Sequence, residues 1–433
     1  MEQTFLTKLL INRVRHLHDI TISLSNDKPK NLILTGKNGS GKTSVLEALA
    51  NDINLLVMIP AEIWDMPFEE RRKQISEYAV QQDNWVKDVF ILLLEKVEEN
   101  PKKWTYFCNK LENEGAESAV PFLMSYLETL YLDIRCGAKW KNGKDLYRKY
   151  QSGQFILAYY GDSRRMEIDD VDHIAKVNLK PIYGMKEKPA KELGKYLADL
   201  EFTKSIALSR NNTERSNQIE EWFTRFENIL RRIYSEPSLK LDFNVDTFEF
   251  SILIDGREPF DFNTMSMGYA AVFDIVADLM MRMESQRRYD LEGIVLIDEI
   301  ETHLHVELQR QIVPILTELF PNIQFILTTH SPFILNSAPN AVIYDLEKRL
   351  IVSEGMENLS YEGILEGYFE VDRFSQKLRN FFEEYKQLVT SKDLSDLDYA
   401  RIAELEDYLD EAPDYLALAF AHEYSRLKAE FNS

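Results

Sequence analysis

The chain has 433 residues, of which 45% are hydrophobic and 28% charged, a composition that suits a folded protein of two or three domains and excludes disorder or collagen-like repeats. Its 51 basic and 72 acidic residues leave a net charge of −21, so no broad basic face exists to coat nucleic acid and any such contact must be local. The two cysteines, Cys108 and Cys136, fall in a region read as helical, at no metal-ligand spacing; neither a disulfide framework nor a zinc site is expected.

In chain order, residues 5–11, 20–24 and 31–35 alternate apolar runs with polar breaks and predict three strands. A glycine-rich turn follows at 36–41, and Val45, Leu46, Leu49 and Ile53 then recur at helical spacing. The most apolar early run, 53–61, is broken by Asn54 and Pro60 and is far shorter than the roughly 20 residues of a membrane span. The N-terminus also lacks the basic and apolar regions of a signal peptide, so a cytoplasmic protein is expected. Residues 56–150 carry Trp64, Trp85, Trp104 and Trp140 among many charges and predict a helical insertion.

Beyond the insertion, 155–160 reads as a buried strand, 217–234 as an amphipathic helix, and 239–243 with 248–254 as a hairpin. From Ser266, the positions Ala271, Val272, Ile275, Val276, Leu279 and Met283 step by three and four along one helix. The continuous apolar runs 294–297 and 323–327 suit parallel strands covered on both faces. The acidic stretch 392–433 reads as a solvated helical hairpin.

Residues Gly36 to Thr43 match the phosphate-loop pattern G-x-x-x-x-G-K-[ST] at every fixed position, between a predicted strand and helix. Glycines there let backbone N–H groups converge on phosphates, the helix N-terminus adds a favourable dipole, Lys42 reaches the β/γ oxygens and Thr43 offers a Mg²⁺ ligand. The nucleotide-binding set is therefore Gly36, Asn38, Gly39, Ser40, Gly41, Lys42, Thr43 and Ser44, with ATP and Mg²⁺ as ligands. The strand 294–297 ends in Asp298, placed to hold Mg²⁺, and Glu299, placed to orient the attacking water. Another strand, 323–329, ends at His330, whose imidazole is expected beside the γ-phosphate.

Together with Asn263-Thr264-Met265-Ser266-Met267-Gly268-Tyr269, these residues resemble the ATP-binding-cassette (ABC) ATPases of the RecF/SMC/OLD-like branch, in the order phosphate loop, signature, Walker B, switch histidine. The resemblance covers about 1–55 and 150–350. It implies an α/β fold: an ABC-type P-loop ATPase head made of 1–55 and 151–350, a helical insertion at 56–150, and an acidic helical C-terminal extension at 351–433. It also implies a homodimer, or a higher homo-oligomer joined through ATP, in which Ser266 and Gly268 of one subunit cap the ATP of the other. Residues 298–305 look like the Walker B and D-loop of OLD-like members, which makes His303 and His305 D-loop residues rather than a metal pair. Residues 265–269 lack the second glycine and the glutamine of the fuller L-S-G-G-Q signature. No Q-loop glutamine is assigned: Gln154 begins its strand, and Arg164 or Arg165 at the strand's end stands as the alternative group facing the site.

The insertion has neither sustained heptads nor a C-x-x-C hook, unlike a long-armed SMC protein. Residues 351–355 resemble the opening strand of a TOPRIM nuclease domain, but Asp396 and Asp398 lie in a polar helical stretch, so no intrinsic nuclease is expected. Lys139, Trp140, Lys141, Lys144, Tyr147, Arg148, Lys149 and Tyr150 read either as a local nucleic-acid contact or as a solvated helix face. The resemblance implies an ATP-hydrolysing sensor or regulatory subunit of a bacterial anti-phage defence complex of Septu or PARIS type. It is expected to work with a separate effector nuclease and without a membrane. The alternative is a RecF-like repair ATPase that binds DNA directly as an ATP-closed dimer.

Overall fold

The computed structural model describes residues 3–58, 136–353, 376–391 and 394–410, with 424, 426–428 and 431. They belong to two compact units, Met1–Glu357 and Asn358–Ser433. Strands and helices are numbered below in chain order among the described residues.

The first unit opens with an antiparallel hairpin of β1 (Phe5–Val14) and β2 (Leu17–Ser23). A third strand, β4 (Cys136–Lys141), pairs with the other edge of β1. Cys136 therefore starts a strand, not a helix, while Cys108 lies outside the described residues. The inward side chains Leu6, Leu9 and Ile11 are fully buried in one cluster with Val45, Leu46, Leu49 and Ile53 of α1 (Lys42–Met58), so the helical spacing seen in the sequence is the core-facing stripe.

The main sheet holds β3 (Asn31–Thr35), β5 (Phe155–Tyr160), β8 (Glu292–Ile297), β9 (Ile323–Thr328), β10 (Ala341–Asp345) and β11 (Leu350–Ser353) in the order β11-β10-β3-β9-β8-β5. All neighbours are parallel except the edge pair β10/β11. Every residue of β3 and β9 is buried, as expected of strands covered on both faces. Residues 351–353 pair as the edge strand of this sheet, with Ile343 opposite Val352.

Of the predicted insertion, 59–135 lies outside the described residues. Its end packs into the first unit as β4 and the short helix α2 (Leu146–Gln151). There Lys139, Lys141, Lys144 and Arg148 are exposed, but two of the residues read with them are not on that face. Lys149 is buried, with its Nζ 3.0 Å from Thr4 Oγ1 and 2.8 Å from Glu292 Oε2, and the buried Tyr150 hydroxyl donates to Tyr183 O at 3.2 Å. Pairing the ammonium with a carboxylate offsets the cost of burying it.

Helix α3 (Leu193–Ser209) packs on α4 (Thr213–Tyr234), whose N-cap Asn212 accepts the Arg215 N–H. The hairpin β6 (Lys240–Phe243) with β7 (Phe250–Leu253) forms as predicted. Helix α5 (Met267–Glu284) is buried almost all round and carries three buried charges, Asp274, Asp278 and Arg282. Helices α6 (Val306–Leu319) and α7 (Pro332–Ser337) link the later strands.

The second unit contains α8 (Gln376–Val389) and α9 (Asp396–Asp410). Phe382, Tyr385, Ile402, Leu405, Leu409, Tyr424 and Leu427 form a core of its own, more than the solvated hairpin expected.

Candidate active site

Because β3, β5, β8, β9 and β10 run parallel, their C-terminal ends meet at one edge of the sheet, where such folds hold ligands. Backbone bonds continue the ladder past the strands. Thr329 N–H donates to Leu34 O at 3.1 Å, Asp298 N–H to Tyr160 O at 2.8 Å, and Leu346 N–H to Thr35 O at 3.0 Å.

The loop from β3 into α1 turns through Gly36, Gly39 and Gly41 at φ of 132°, 83° and 96°. At Gly41 a Cβ would lie 2.9 Å from Leu17 Cδ1, so both backbone angle and space demand glycine. Gly39 faces open space, and Asn38 and Gly39 are exposed. Lys42, 5% exposed, curls back over the loop to donate to Gly36 O at 2.9 Å and Lys37 O at 3.1 Å. Burial pulls its pKa down, and the carboxylates of Glu299, Glu301, Asp298 and Asp345 oppose that pull. The Ser40 hydroxyl is buried with no hydrogen-bond partner, and Thr43 and Ser44 open the helix with Thr43 exposed. An unsatisfied hydroxyl, a lysine held only by carbonyls and a glycine-lined opening at a helix N-terminus fit a bound phosphate chain.

Across β9, Asp298 is 3% exposed, and Thr328 Oγ1 donates to its Oδ1 at 2.5 Å. Glu299 adopts a left-handed backbone (φ 44°), a conformation that costs roughly 1–2 kcal/mol for a residue with a Cβ. Its Oε1 lies 3.8 Å from His330 Nε2, a buried nitrogen with no hydrogen-bond partner. Glu301 Oε1 accepts the His330 N–H at 2.5 Å, and its other oxygen is buried without a partner. Thus the residues predicted on three separate strands, the Gly36–Lys42 loop, Asp298 with Glu299, and His330, occupy adjacent strand ends.

Ser266 and Gly268 are placed differently. Ser266 is the exposed N-cap of α5, and its side chain caps nothing. A Cβ on Gly268 would lie 3.2 Å from His303 O and 3.1 Å from Leu308 Cδ1, so the start of α5 sits against 303–308. Among the described residues, no hydrogen bond or ion pair joins Ser266 or Gly268 to 36–44. His303 and His305 are exposed, the latter as N-cap of α6.

Sequence reasoning left Arg164 and Arg165 open and missed what Arg164 does. Arg164 is 4% exposed and donates to Gly161 O, Asp298 O, Glu299 O and Ile300 O at 2.8, 2.6, 2.9 and 3.3 Å. Burial pulls its pKa down, countered by Asp274, Glu301, Asp298 and Asp162. An arginine next to a strand end was the only local signal, because three of its four acceptors are backbone atoms more than 130 residues away.

Residues 181–336 match a family model described as "AAA domain, putative AbiEii toxin, Type IV TA system". "Septu protein PtuA" of Bacillus mycoides is 24% identical over 94% of this chain and 51% of its own length. "Retron Ec83 probable ATPase" of Escherichia coli is 35% identical over 30% of this chain and 25% of its own. The chain thus spans about half the length of the first relative and a quarter of the second. A solved SMC head, bound to the C-winged helix domain of ScpA, aligns with 82% of this chain and 98% of its own at 13% identity and a TM-score of 0.38. The chain is thus an α/β protein that carries a phosphate-loop motif at the C-terminal edge of a parallel sheet, and it is similar to Septu protein PtuA and, over a shorter stretch, to Retron Ec83 probable ATPase.

Proposed function

We propose that this chain binds and hydrolyses ATP as the sensor or regulatory subunit of an anti-phage defence complex, acting in the cytoplasm with a separate effector nuclease. The observation that carries the ATPase reading is the convergence of the Gly36–Lys42 loop, Asp298 with Glu299, and His330 on neighbouring strand ends. The defence setting and the effector rest on the similarity to Septu and retron proteins.

In this reading the backbone of Gly36, Asn38, Gly39, Ser40 and Gly41 cradles the phosphates with Ser44, and Lys42 exchanges its loop carbonyls for β/γ oxygens. Thr43 and Asp298 hold Mg²⁺, which when bound neutralises phosphate charge. Glu299 orients the water in line with the γ-phosphate, and His330, 3.8 Å from it, contacts the phosphate. Ser266 is exposed, its side chain caps nothing, and among the described residues no hydrogen bond joins it to its own loop, which supports a composite site: the signature of a second copy, through Ser266 and Gly268, completes each ATP pocket.

Turnover measured on the purified protein, with and without Mg²⁺, tests the activity. Glu299→Gln is expected to retain ATP binding, to accumulate as a dimer on size-exclusion chromatography, and to lose about 10²–10⁴-fold in turnover. Normal turnover in that variant would reject the assignment. A pull-down of Glu299→Gln protein from its native host tests the partnership. A stoichiometric nuclease supports the defence reading, and nucleic acid alone, with steeply salt-dependent DNA affinity, transfers support to a RecF-like repair ATPase.

A further inference from the structure

The carbonyl oxygens of Asp298, Glu299 and Ile300, three in succession, all accept from the single guanidinium of Arg164. Successive carbonyls ordinarily diverge, since their dipoles repel when the oxygens approach one another. They converge here because Glu299 turns into the left-handed region at φ 44° while a cation sits at the point of convergence. The N–H groups of the same residues are fixed from the other side, Asp298 by Tyr160 O, Glu299 by Thr328 Oγ1 at 2.7 Å, and Ile300 by Thr328 O at 3.1 Å. The base from which Arg164 reaches is itself held. Its Nη1 donates to Gly161 O, and the preceding Tyr160 hydroxyl donates to the buried Asp278 Oδ2 of the signature helix at 2.7 Å.

From this geometry we infer that Arg164 is a positioning residue for hydrolysis: it holds the Asp298–Ile300 turn in its left-handed form and so aims the Glu299 carboxylate, without itself contacting nucleotide. The inference rests on the reading of Glu299 as the water-orienting group. Among the described residues, all four acceptors within hydrogen-bond distance of the guanidinium are backbone carbonyls of the same subunit, which separates this role from that of an arginine finger reaching a phosphate. Lysine cannot replace the fork, since one ammonium replaces two terminal nitrogens that divide four acceptors between them.

The test compares wild type, Arg164→Ala and Arg164→Lys, each with and without Glu299→Gln, by ATP kinetics and by hydrogen exchange of the full chain. Loss of aim predicts a fall in kcat of about 100-fold in Arg164→Ala with KM nearly unchanged, and a smaller fall in Arg164→Lys. Because Arg164 acts through Glu299, adding Arg164→Ala to Glu299→Gln should cost no further turnover. Amides in 296–303 should exchange faster in both arginine variants, while those in 31–35 keep wild-type rates. A raised KM at unchanged kcat, a multiplicative loss in the double variant, or wild-type exchange across 296–303 would overturn the inference. Should wild type itself hydrolyse no ATP, the proposed activity fails, and the exchange comparison still decides whether Arg164 holds the turn.

Discussion

The Thr328 hydroxyl donates to Asp298 Oδ1 at 2.5 Å and in the same position accepts the Glu299 N–H at 2.7 Å, so one β9 side chain fixes both acidic residues that follow β8. Thr328→Val keeps the shape and removes both bonds, leaving a buried carboxylate and a backbone N–H unpaired. Stability should fall by about 1–3 kcal/mol in urea unfolding, and turnover should fall with it. Thr328→Ser, which restores the hydroxyl, should recover most of both; equal losses in the two variants would show that packing, not hydrogen bonding, matters at 328.

Two glycines of the loop should respond differently to alanine. At Gly41 the new methyl would meet Leu17 Cδ1 at 2.9 Å, on a strand fixed by the core, whereas at Gly39 it would meet open space. Gly39→Ala should cost only the left-handed backbone penalty, roughly 1–2 kcal/mol. Gly41→Ala should cost more and displace the loop, which a fluorescent ATP analogue would register as lost binding. Indistinguishable affinities for the two variants would remove the contact with Leu17 from the account.

Helix α5 is locked to β5 by a buried polar network. Arg282 Nε donates to Asp278 Oδ2 at 2.8 Å, and its Nη1 reaches Leu157 O at 3.0 Å and Gly184 O at 3.1 Å. Arg282→Met would strand the Asp278 carboxylate in the interior, a loss of about 3–5 kcal/mol. Asp278→Asn added to that variant should recover part of the loss, because the stranded charge is gone. A denaturation midpoint unchanged by Arg282→Met would contradict the burial of this pair.

In the C-terminal unit, Ser395 and Asp398 form a reciprocal cap at the start of α9. Ser395 N–H donates to Asp398 Oδ2 at 2.8 Å and its hydroxyl donates to the same oxygen at 2.7 Å. The Ser395 N–H, then its hydroxyl, hold the Asp398 carboxyl below its usual range. A depressed acid pKa contributes stability that is present above the unfolded value of about 3.9 and is lost as pH falls through the folded value. The first turn of α9 should therefore open more often below about pH 4. Ser395→Ala should open it about three- to tenfold more often even at neutral pH, as read from exchange rates of amides 396–399. A first turn indifferent to both changes would remove the cap from the account.

Legibility followed the range of the interactions. The Gly36–Thr43 loop and the strand ending in Asp298 and Glu299 are local patterns, in which backbone freedom, apolar run and polar terminus sit within a few residues; the structure shows a loop and a strand at both places. The core stripe of α5 was likewise visible in its spacing. What the sequence hid depends on distant partners. β4 looked helical because its mate β1 is over a hundred residues away, with Leu9 opposite Ala138. Lys149 looked solvated because its buried partner, Glu292, lies on a strand that the local pattern does not mention. The role of Arg164, a residue the sequence left as an alternative with Arg165, was hidden for a third reason: carbonyl oxygens carry no sequence signature.

The order of strands in the main sheet also sets a timetable for synthesis. β3, which delivers the chain into the glycine loop, is flanked by β9 and β10, with Leu32 opposite Ile326 and Ile33 opposite Ile343. A ribosome therefore finishes the loop early, but the strands that hold it in place emerge only when most of the chain has been made. Until then β3 has apolar faces and two unpaired edges, a state that invites chaperone capture or pairing with the wrong neighbour. Nascent chains stalled before residue 345 should not acquire the completed sheet edge, whereas those released beyond it contain every strand needed to close around β3.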